Sequence, residues 1–168
     1  TELDMFDIII RPPLTSKKIN AGISSILLPQ NTRQKQTTSN AYSNISGKRI
    51  LLAEDNLINS RFIAILLSSL KCTYVCVENG QDAVDLLKKG EHFDMVLMDI
   101  HMPVLDGIEA TRIIRDEIKL DIPIIAISAA AMQNDQEKAL NAGINGYVTK
   151  PVEIESLKRQ MSVWLNKN

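Results

Sequence analysis

Short apolar runs alternate with longer amphipathic stretches over residues 48–168. Nearly every position in the short runs is aliphatic, which is typical of strands that are buried on both faces of a sheet. The five predicted strands are Arg49–Ala53, Tyr74–Val77, Met95–Met98, Ile122–Ser128 and Gly146–Val148.

Each predicted strand is followed by residues whose apolar positions recur at helical spacing. The predicted helices cover residues 56–70, 80–89, 106–118, 134–142 and 154–165. Asn56 is the expected cap of the first helix. The predicted buried face of that helix consists of Ile58, Phe62, Ile65, Leu66 and Leu70. Strict alternation of strand and helix predicts an α/β fold, with a parallel sheet covered on both faces by right-handed crossovers.

Residues 29–47 interrupt this pattern with a polar segment rich in Gln, Asn, Thr and Ser. Such a segment buries too little apolar surface to offset its ordering entropy, so we expect a flexible linker. The linker divides a short segment, residues 1–28, from the predicted domain, residues 48–168.

Composition narrows the function classes. The formal net charge of -1 gives no reason to expect nucleic acid or an anionic membrane as a partner. No apolar run approaches the roughly 20 residues that a membrane span needs. Cys72 and Cys76 lie in an apolar stretch without His or acidic residues at metal-ligand spacing. We expect both to be core thiols in a reducing compartment. These features favour a cytoplasmic location, even for a parent protein anchored in a membrane.

The polar residues that matter most lie where the predicted strands end. In a doubly wound sheet, ligands bind outside the carboxyl ends of the strands. Glu54 and Asp55 follow the first strand, Asp99 the third, Ser128 the fourth and Lys150 the fifth. Three carboxylates, a hydroxyl and an ammonium are therefore expected to converge on one rim.

Those groups match the needs of phosphoryl transfer. Carboxylates in close contact repel each other unless a cation joins them, and hard oxygen ligands suit Mg²⁺. A carboxylate can be the nucleophile that forms an aspartyl phosphate, with Lys150 and Ser128 stabilising the transferred charge. Taken singly, a strand-end Asp is usually a helix cap, Ser128 a turn residue and Lys150 a surface lysine. Their occurrence together favours the reaction.

Four motifs resemble the receiver domain of two-component response regulators, over nearly all of residues 48–168. They are LLAEDN (51–56), DMVLMDIHMPVLDGIEATR (94–112), IIAISA (124–129) and GYVTKP (146–151). The resemblance implies a flavodoxin-like sheet of five parallel strands in the order 2-1-3-4-5. It also implies phosphorelay signalling, in which the domain catalyses its own phosphorylation and dephosphorylation but is not a kinase alone.

The resemblance assigns a metal site and a phosphoacceptor. Asp99 is implied to accept the phosphoryl group. The implied metal ligands are Asp55, Asp99, the backbone carbonyl of His101 and, through a water, Glu54. Mg²⁺ is the expected ion and Mn²⁺ the alternative.

It also assigns the residues that respond to phosphorylation. Ser128 corresponds to the hydroxyl switch residue, Tyr147 to the aromatic switch and Lys150 to the phosphate-pairing lysine. A cis bond between Lys150 and Pro151 is implied as well.

The motif EDN-x-x-N, together with MD-x-x-MP-x-x-DG, is similar to receivers of hybrid sensor histidine kinases. The expected partner is therefore a histidine-containing phosphotransfer protein or a histidine kinase domain. Residues 1–28 resemble the last strand and helix of a preceding, degenerate receiver-like domain. A chance amphipathic helix is the alternative for that segment.

Other functions on the same fold remain open. A pseudoreceiver would act only as a protein-interaction module. A phosphatase with an aspartate nucleophile needs a second acidic residue where His101 stands, and a flavin-binding domain needs a phosphate-cradling loop where EDN stands. We further hypothesise that His101 and Ala130 set the lifetime of the phosphorylated form.

Overall fold

The structure is a computed structural model that describes residues 45–129 and 133–166, with side chains from residue 137 onward in the second range. The predicted remnant of a preceding domain, residues 1–28, lies outside the described residues. So does most of the predicted linker. Both remain predictions.

The described residues form one sheet of five parallel strands in the order β2-β1-β3-β4-β5. This order and the flavodoxin-like fold confirm the prediction. The strands are β1 (Arg49–Ala53), β2 (Thr73–Val77), β3 (Met95–Asp99), β4 (Ile124–Ser128) and β5 (Gly146–Thr149).

Five helical segments connect and follow the strands within the described residues. They are α1 (Leu57–Ser69), α2 (Gly80–Lys88), α3 (Gly107–Arg112), α4 (Gln133–Asn141) and α5 (Ile154–Leu165), and α3 continues as a π-helical turn over Ile113–Glu117. Asn56 caps α1 as predicted, since its side chain accepts hydrogen bonds from the backbone N–H groups of Ile58 and Asn59.

The central strands are buried because both faces of the sheet are covered. Successive residues of β1, such as Ile50 and Leu51, point to opposite faces of the sheet and enter two different cores. Helices α1 and α5 pack on the Ile50 side, and α2, α3 and α4 pack on the Leu51 side. Continuous aliphatic runs are thus explained by burial on two faces, which leaves the strand ends for polar residues.

Helix α1 turns a different face to the sheet than predicted. Ile63 and Leu67 enter the core, and Leu66 and Leu70 pack partly against it. The prediction was wrong for three residues, because Ile58, Phe62 and Ile65 are 79%, 47% and 67% exposed. The helix is apolar on two sides, so periodicity could not decide which side meets the sheet. We call its exposed apolar residues, Leu57, Ile58, Phe62 and Ile65, the α1 apolar face.

The folded domain includes the last residues assigned to the linker. Ile45 is fully buried in the core, and its carbonyl accepts a hydrogen bond from the Cys72 thiol. Ile45 thus packs with the described domain although it lies in the segment predicted as a linker, and the domain bounds remain a prediction. Cys72 is buried as predicted, and burial raises its pKa to about 11. Cys76 is exposed, contrary to the prediction, because β2 is an edge strand with one solvated face.

Candidate functional site

The ends of β1, β3, β4 and β5 lie on one rim because the strands are parallel and adjacent. Asp99 closes β3 opposite Ile127, and Ser128 closes β4 opposite Thr149. Glu54 and Lys150 directly follow β1 and β5. The backbone thereby brings the predicted polar residues to the same edge of the sheet.

Three carboxylates meet at this rim. Glu54, Asp55 and Asp99 each offer an oxygen, and these oxygens all lie within 4.8 Å of one another. Glu54 and Asp99 are buried, whereas Asp55 is exposed to solvent. The structure therefore produces the cluster of acidic oxygens that the strand ends predicted.

One ammonium group is shared by the two buried carboxylates. Lys150 Nζ lies 2.7 Å from Asp99 Oδ2 and 2.8 Å from Glu54 Oε2. Burial disfavours the charged lysine, but hydrogen bonds and the charges of Asp99 and Glu54 outweigh it and raise the pKa of Lys150. The lysine is therefore positively charged at neutral pH.

The two oxygens of the buried Glu54 carboxylate have different partners. Oε1 accepts hydrogen bonds from Lys150 Nζ and Asn59 Nδ2, both at 3.0 Å. Oε2 forms a 2.8 Å ion pair with Lys150 Nζ, and it accepts no hydrogen bond from any other described residue. Because Asp99 shares that ammonium, a cation or its water would add a partner to a buried oxygen that has one shared charge. The cluster therefore fits a hard divalent cation such as Mg²⁺.

The loop after β3 holds Asp99 in place. The His101 backbone N–H donates to Asp99 Oδ1 at 3.3 Å, while the His101 side chain is exposed. Gly107 packs directly on the Asp99 backbone, and a Cβ there would collide with the Asp99 carbonyl oxygen. Asp106 caps α3 through the N–H groups of Ile108 and Glu109, so it has a structural role. The phosphoacceptor candidate thus lies at the end of β3, tightly packed against the turn that follows it.

The predicted switch residues occupy the two neighbouring strands. Ser128 is 3% exposed at the end of β4. Tyr147 on β5 is partly buried and packs against the core on the Leu51 side of the sheet. The Lys150–Pro151 bond is cis, as the resemblance implied. Ala130 lies outside the described residues. The roles of these residues, like that of the His101 carbonyl, remain predictions.

Asn59 was not among the predicted site residues. It lies on the first turn of α1, five residues after Glu54, and its amide contacts the Glu54 carboxylate. The sequence did contain a signal: the second Asn of EDN-x-x-N follows the cap residue by three positions, which places it on the same end of the helix. That spacing indicated a common location but no partner.

Comparison with known proteins agrees with this geometry. Residues 50–162 match the family model described as the response regulator receiver domain. The chain is 32% identical over 179 residues to probable histidine kinase 6 of Oryza sativa subsp. japonica, with 94% of this chain and 18% of that protein covered. It is 34% identical over 177 residues to hybrid signal transduction histidine kinase I of Dictyostelium discoideum, covering 95% of this chain and 10% of that protein. The chain therefore spans a fifth or less of the length of these relatives.

Solved structures with similar folds include two receivers of special interest. The receiver domain of sensor histidine kinase PA1611 from Pseudomonas aeruginosa PAO1, which has a magnesium ion coordinated in its active site cleft, is 41% identical with a TM-score of 0.66. The match covers 72% of this chain and 99% of that chain. The receiver of Saccharomyces cerevisiae Ssk1, solved with the histidine phosphotransfer protein Ypd1, is 35% identical with a TM-score of 0.66, covering 71% and 89%.

Within the described part of the chain, every helix is too short or too polar to span a bilayer.

Proposed function

Because the chain belongs to the response regulator receiver domain family, we propose that it accepts a phosphoryl group from a phosphohistidine onto Asp99 within a phosphorelay. The observation that carries this proposal is the meeting of three carboxylates and one ammonium at a single rim. A nucleophile, a cation-binding cluster and a positive charge are the elements that phosphoryl transfer requires.

Asp55 and Asp99, the backbone carbonyl of His101 and, through a water, Glu54 would hold the cation. Bound Mg²⁺, or Mn²⁺ in its place, would neutralise the carboxylates and offset the charge of the phosphoryl group. Glu54 Oε2 supports this assignment, since among the described residues its partner is the one ammonium that it shares with Asp99. The similarity to a receiver solved with magnesium supports it as well.

Asp99 is the nucleophile in the proposed reaction. One of its oxygens forms a bond to phosphorus while the P–N bond of the phosphohistidine breaks, and the imidazole leaves with the electron pair. Lys150 already lies 2.7 Å from Asp99 Oδ2, so its ammonium can follow the charge onto the phosphoryl oxygens. The Ser128 hydroxyl would donate a hydrogen bond to the same oxygens.

The signal would be a change of shape around β4 and β5. Phosphorylation changes the charge on residue 99 from one negative unit to about two. Ser128 would turn toward the phosphoryl group and Tyr147 would move inward behind it. Shifting an equilibrium from 1:99 to 99:1 takes about 5.5 kcal/mol. Two charge-assisted hydrogen bonds at about 1.5–3 kcal/mol each could supply most of that.

A surface beside the site fits a protein donor. The α1 apolar face adjoins a groove that is lined by residues of α1 and by Lys150, Pro151 and Val152. Exposed apolar patches of this kind mark protein interaction sites. Lys150 lines the groove and also binds Asp99, so a partner seated there would present its phosphohistidine to the nucleophile. The partner we propose is a histidine-containing phosphotransfer protein or the phosphohistidine domain of a kinase.

The longer relatives suggest the context. We propose that the chain is the receiver portion of a hybrid sensor histidine kinase and acts in the cytoplasm. Two histidine kinases that are 32% and 34% identical to this chain, over 94% and 95% of its length, support that context.

The test is phosphoryl transfer from a labelled phosphotransfer protein. Label is expected to reach the chain in the presence of Mg²⁺ and not with a chelator, and Asp99→Ala is expected to abolish it. Asp94→Asn, a matched change on the opposite rim, should keep the wild-type rate within about twofold, because exposed ion pairs contribute little. Stoichiometric labelling of Asp99→Ala would refute the assignment.

The alternative is a pseudoreceiver that binds partners without accepting phosphate. Beryllofluoride, which mimics a phosphoryl group, separates the two. Mg²⁺-dependent beryllofluoride binding supports the receiver function. A folded protein that binds neither Mg²⁺ nor beryllofluoride would have to be a pure interaction module.

A further inference from the structure

The hydrogen bond between Asn59 and Glu54 has no role in the reaction proposed above. The Asn59 amide lies on α1, half-buried, and Nδ2 donates to Glu54 Oε1 at 3.0 Å. The orientation of the amide is dictated by its partner, because a carboxylate only accepts and Nδ2 is the donor end of the side chain. Two described side chains donate to the Glu54 carboxylate, Asn59 and Lys150.

These two donors differ in what else they do. Lys150 is shared between Glu54 and Asp99, and in the proposed reaction it follows the charge onto the phosphoryl group. The ion pair between Lys150 and Glu54 must therefore weaken during turnover. Asn59 makes its contact from a rigid helix whose first turn is fixed by Asn56, which also accepts from the Asn59 backbone N–H. The hydrogen bond from Asn59 to Glu54 does not have to change during the proposed reaction.

The two oxygens of Glu54 are treated differently as well. Both donors bind Oε1, whereas Oε2 has, among the described residues, the 2.8 Å ion pair with Lys150 and no further hydrogen bond. Anchoring Oε1 from α1 fixes the plane of the carboxylate and therefore the direction of Oε2. A free glutamate has several rotamers, so an anchor of this kind would spare the metal site the entropy of ordering it.

We propose that Asn59 is a positioning residue for the metal site: its amide holds Glu54 so that one carboxylate oxygen stays directed to the cation or its water. This inference rests on the proposed function, because it assumes that Mg²⁺ binds the acidic cluster. Groups that orient metal ligands typically change metal affinity by about 10–100-fold when they are removed.

A neutral amide suits this task better than a charged side chain would. The rim already carries three carboxylates against one ammonium. An additional cation next to Glu54 would compete with the metal, and an additional carboxylate would repel Glu54. An amide donates a hydrogen bond without changing the net charge.

The test is Mg²⁺ binding by isothermal titration calorimetry on the full chain, which needs no phosphodonor. Asn59→Leu keeps the size but removes the donor, and Asn59→Ala removes the side chain while favouring the helix. Both are expected to weaken Mg²⁺ binding by about 10–100-fold. The matched control is Gln81→Met on α2, which removes an amide that also donates to a carboxylate, Asp85. Gln81→Met should leave the Mg²⁺ affinity within about twofold of wild type, because the Gln81 amide contacts Asp85, which is not a proposed metal ligand.

The outcomes separate the two proposals. If wild type and both Asn59 variants bind Mg²⁺ equally, the positioning role is wrong and the proposed function stands. If wild type binds no Mg²⁺ at all, the proposed function is wrong as well. Thermal unfolding without metal distinguishes a purely structural role, because such a role would lower the melting temperature of both Asn59 variants and leave the Mg²⁺ affinity of the folded protein unchanged.

Discussion

The two rims of the same sheet carry lysine–carboxylate contacts of very different character. At the amino-terminal rim, Lys48 pairs with Asp94 at 2.8 Å, and each side chain is 35% exposed. Asp94 also accepts from the Arg49 backbone N–H, so both of its oxygens have donors. Charges there are balanced and satisfied.

The carboxyl-terminal rim is unbalanced. Lys150 is 20% exposed, and it faces two carboxylates, Glu54 and Asp99, that are 0% and 5% exposed. Asp55 adds a third carboxylate close by. Such an arrangement is costly unless something positive joins it, because buried like charges repel strongly. The two rims therefore differ in charge balance: the ion pair on the opposite rim is neutral, whereas this rim carries three carboxylates against one ammonium, as the proposed cation site requires.

Removing the lysine from each rim should give the largest contrast. Lys150→Met is expected to slow transfer from a phosphohistidine donor by about 10²–10³-fold, the usual effect of losing one group that stabilises transferred charge. Lys48→Met should change the rate less than about twofold, because an exposed pair remote from the reaction contributes little. The initial rate of label transfer is the measurement. Equal rates for the two variants would contradict the functional difference between the rims.

Adding a methyl group at one glycine of each rim should give an intermediate contrast. Gly107→Ala places a Cβ against the Asp99 carbonyl, and overpacking of this kind costs about 2–3 kcal/mol. Gly90 has φ +82 and open space around its Cβ, so Gly90→Ala should cost only the strain of a left-handed residue, about 1 kcal/mol. Urea unfolding gives both values. A Gly107→Ala protein as stable as Gly90→Ala would show that the turn yields easily.

The smallest effect is expected from Asp94→Asn. Burial opposes the charge of Asp94, but the Arg49 N–H and Lys48 outweigh it and lower its pKa. A lowered pKa means that the contribution is present above the unfolded value near 3.8 and is lost as pH falls through the folded value. Because the pair is partly exposed, we expect about 0.5–1 kcal/mol at pH 7.

The measurement is the difference in unfolding free energy between wild type and Asp94→Asn, followed from pH 7 downward. It should shrink below about pH 4, where the unfolded carboxylate becomes protonated. A difference that grows on acidification would have the wrong sign for this pair.

Much of the fold was predictable because burial on two faces leaves a simple pattern. The aliphatic runs of β1, β3 and β4 could be recognised without knowing their neighbours, and the alternation with helices limited the topology. The strand order itself came from the resemblance of the motifs. The location of the polar residues at strand ends followed from the parallel arrangement.

The errors occurred where an element has two plausible sides or one uncovered side. Helix α1 carries apolar residues on two sides, and the sheet selected the side of Ile63 and Leu67. Cys76 lies in an apolar run, but its strand is at the edge of the sheet and leaves it exposed. Ile45 lies in a polar segment of the sequence, and its burial is visible only in the packing of the described residues.

The sequence by itself determined the kinds of groups that meet at the rim and the strand ends that carry them. Only the tertiary structure decided how those groups pair: one ammonium is divided between Glu54 and Asp99, and an amide from α1 binds the other oxygen of Glu54. Spacing along the chain fixes which edge a residue reaches. Hydrogen bonds form over about 3 Å, and distances that small depend on how separate elements pack.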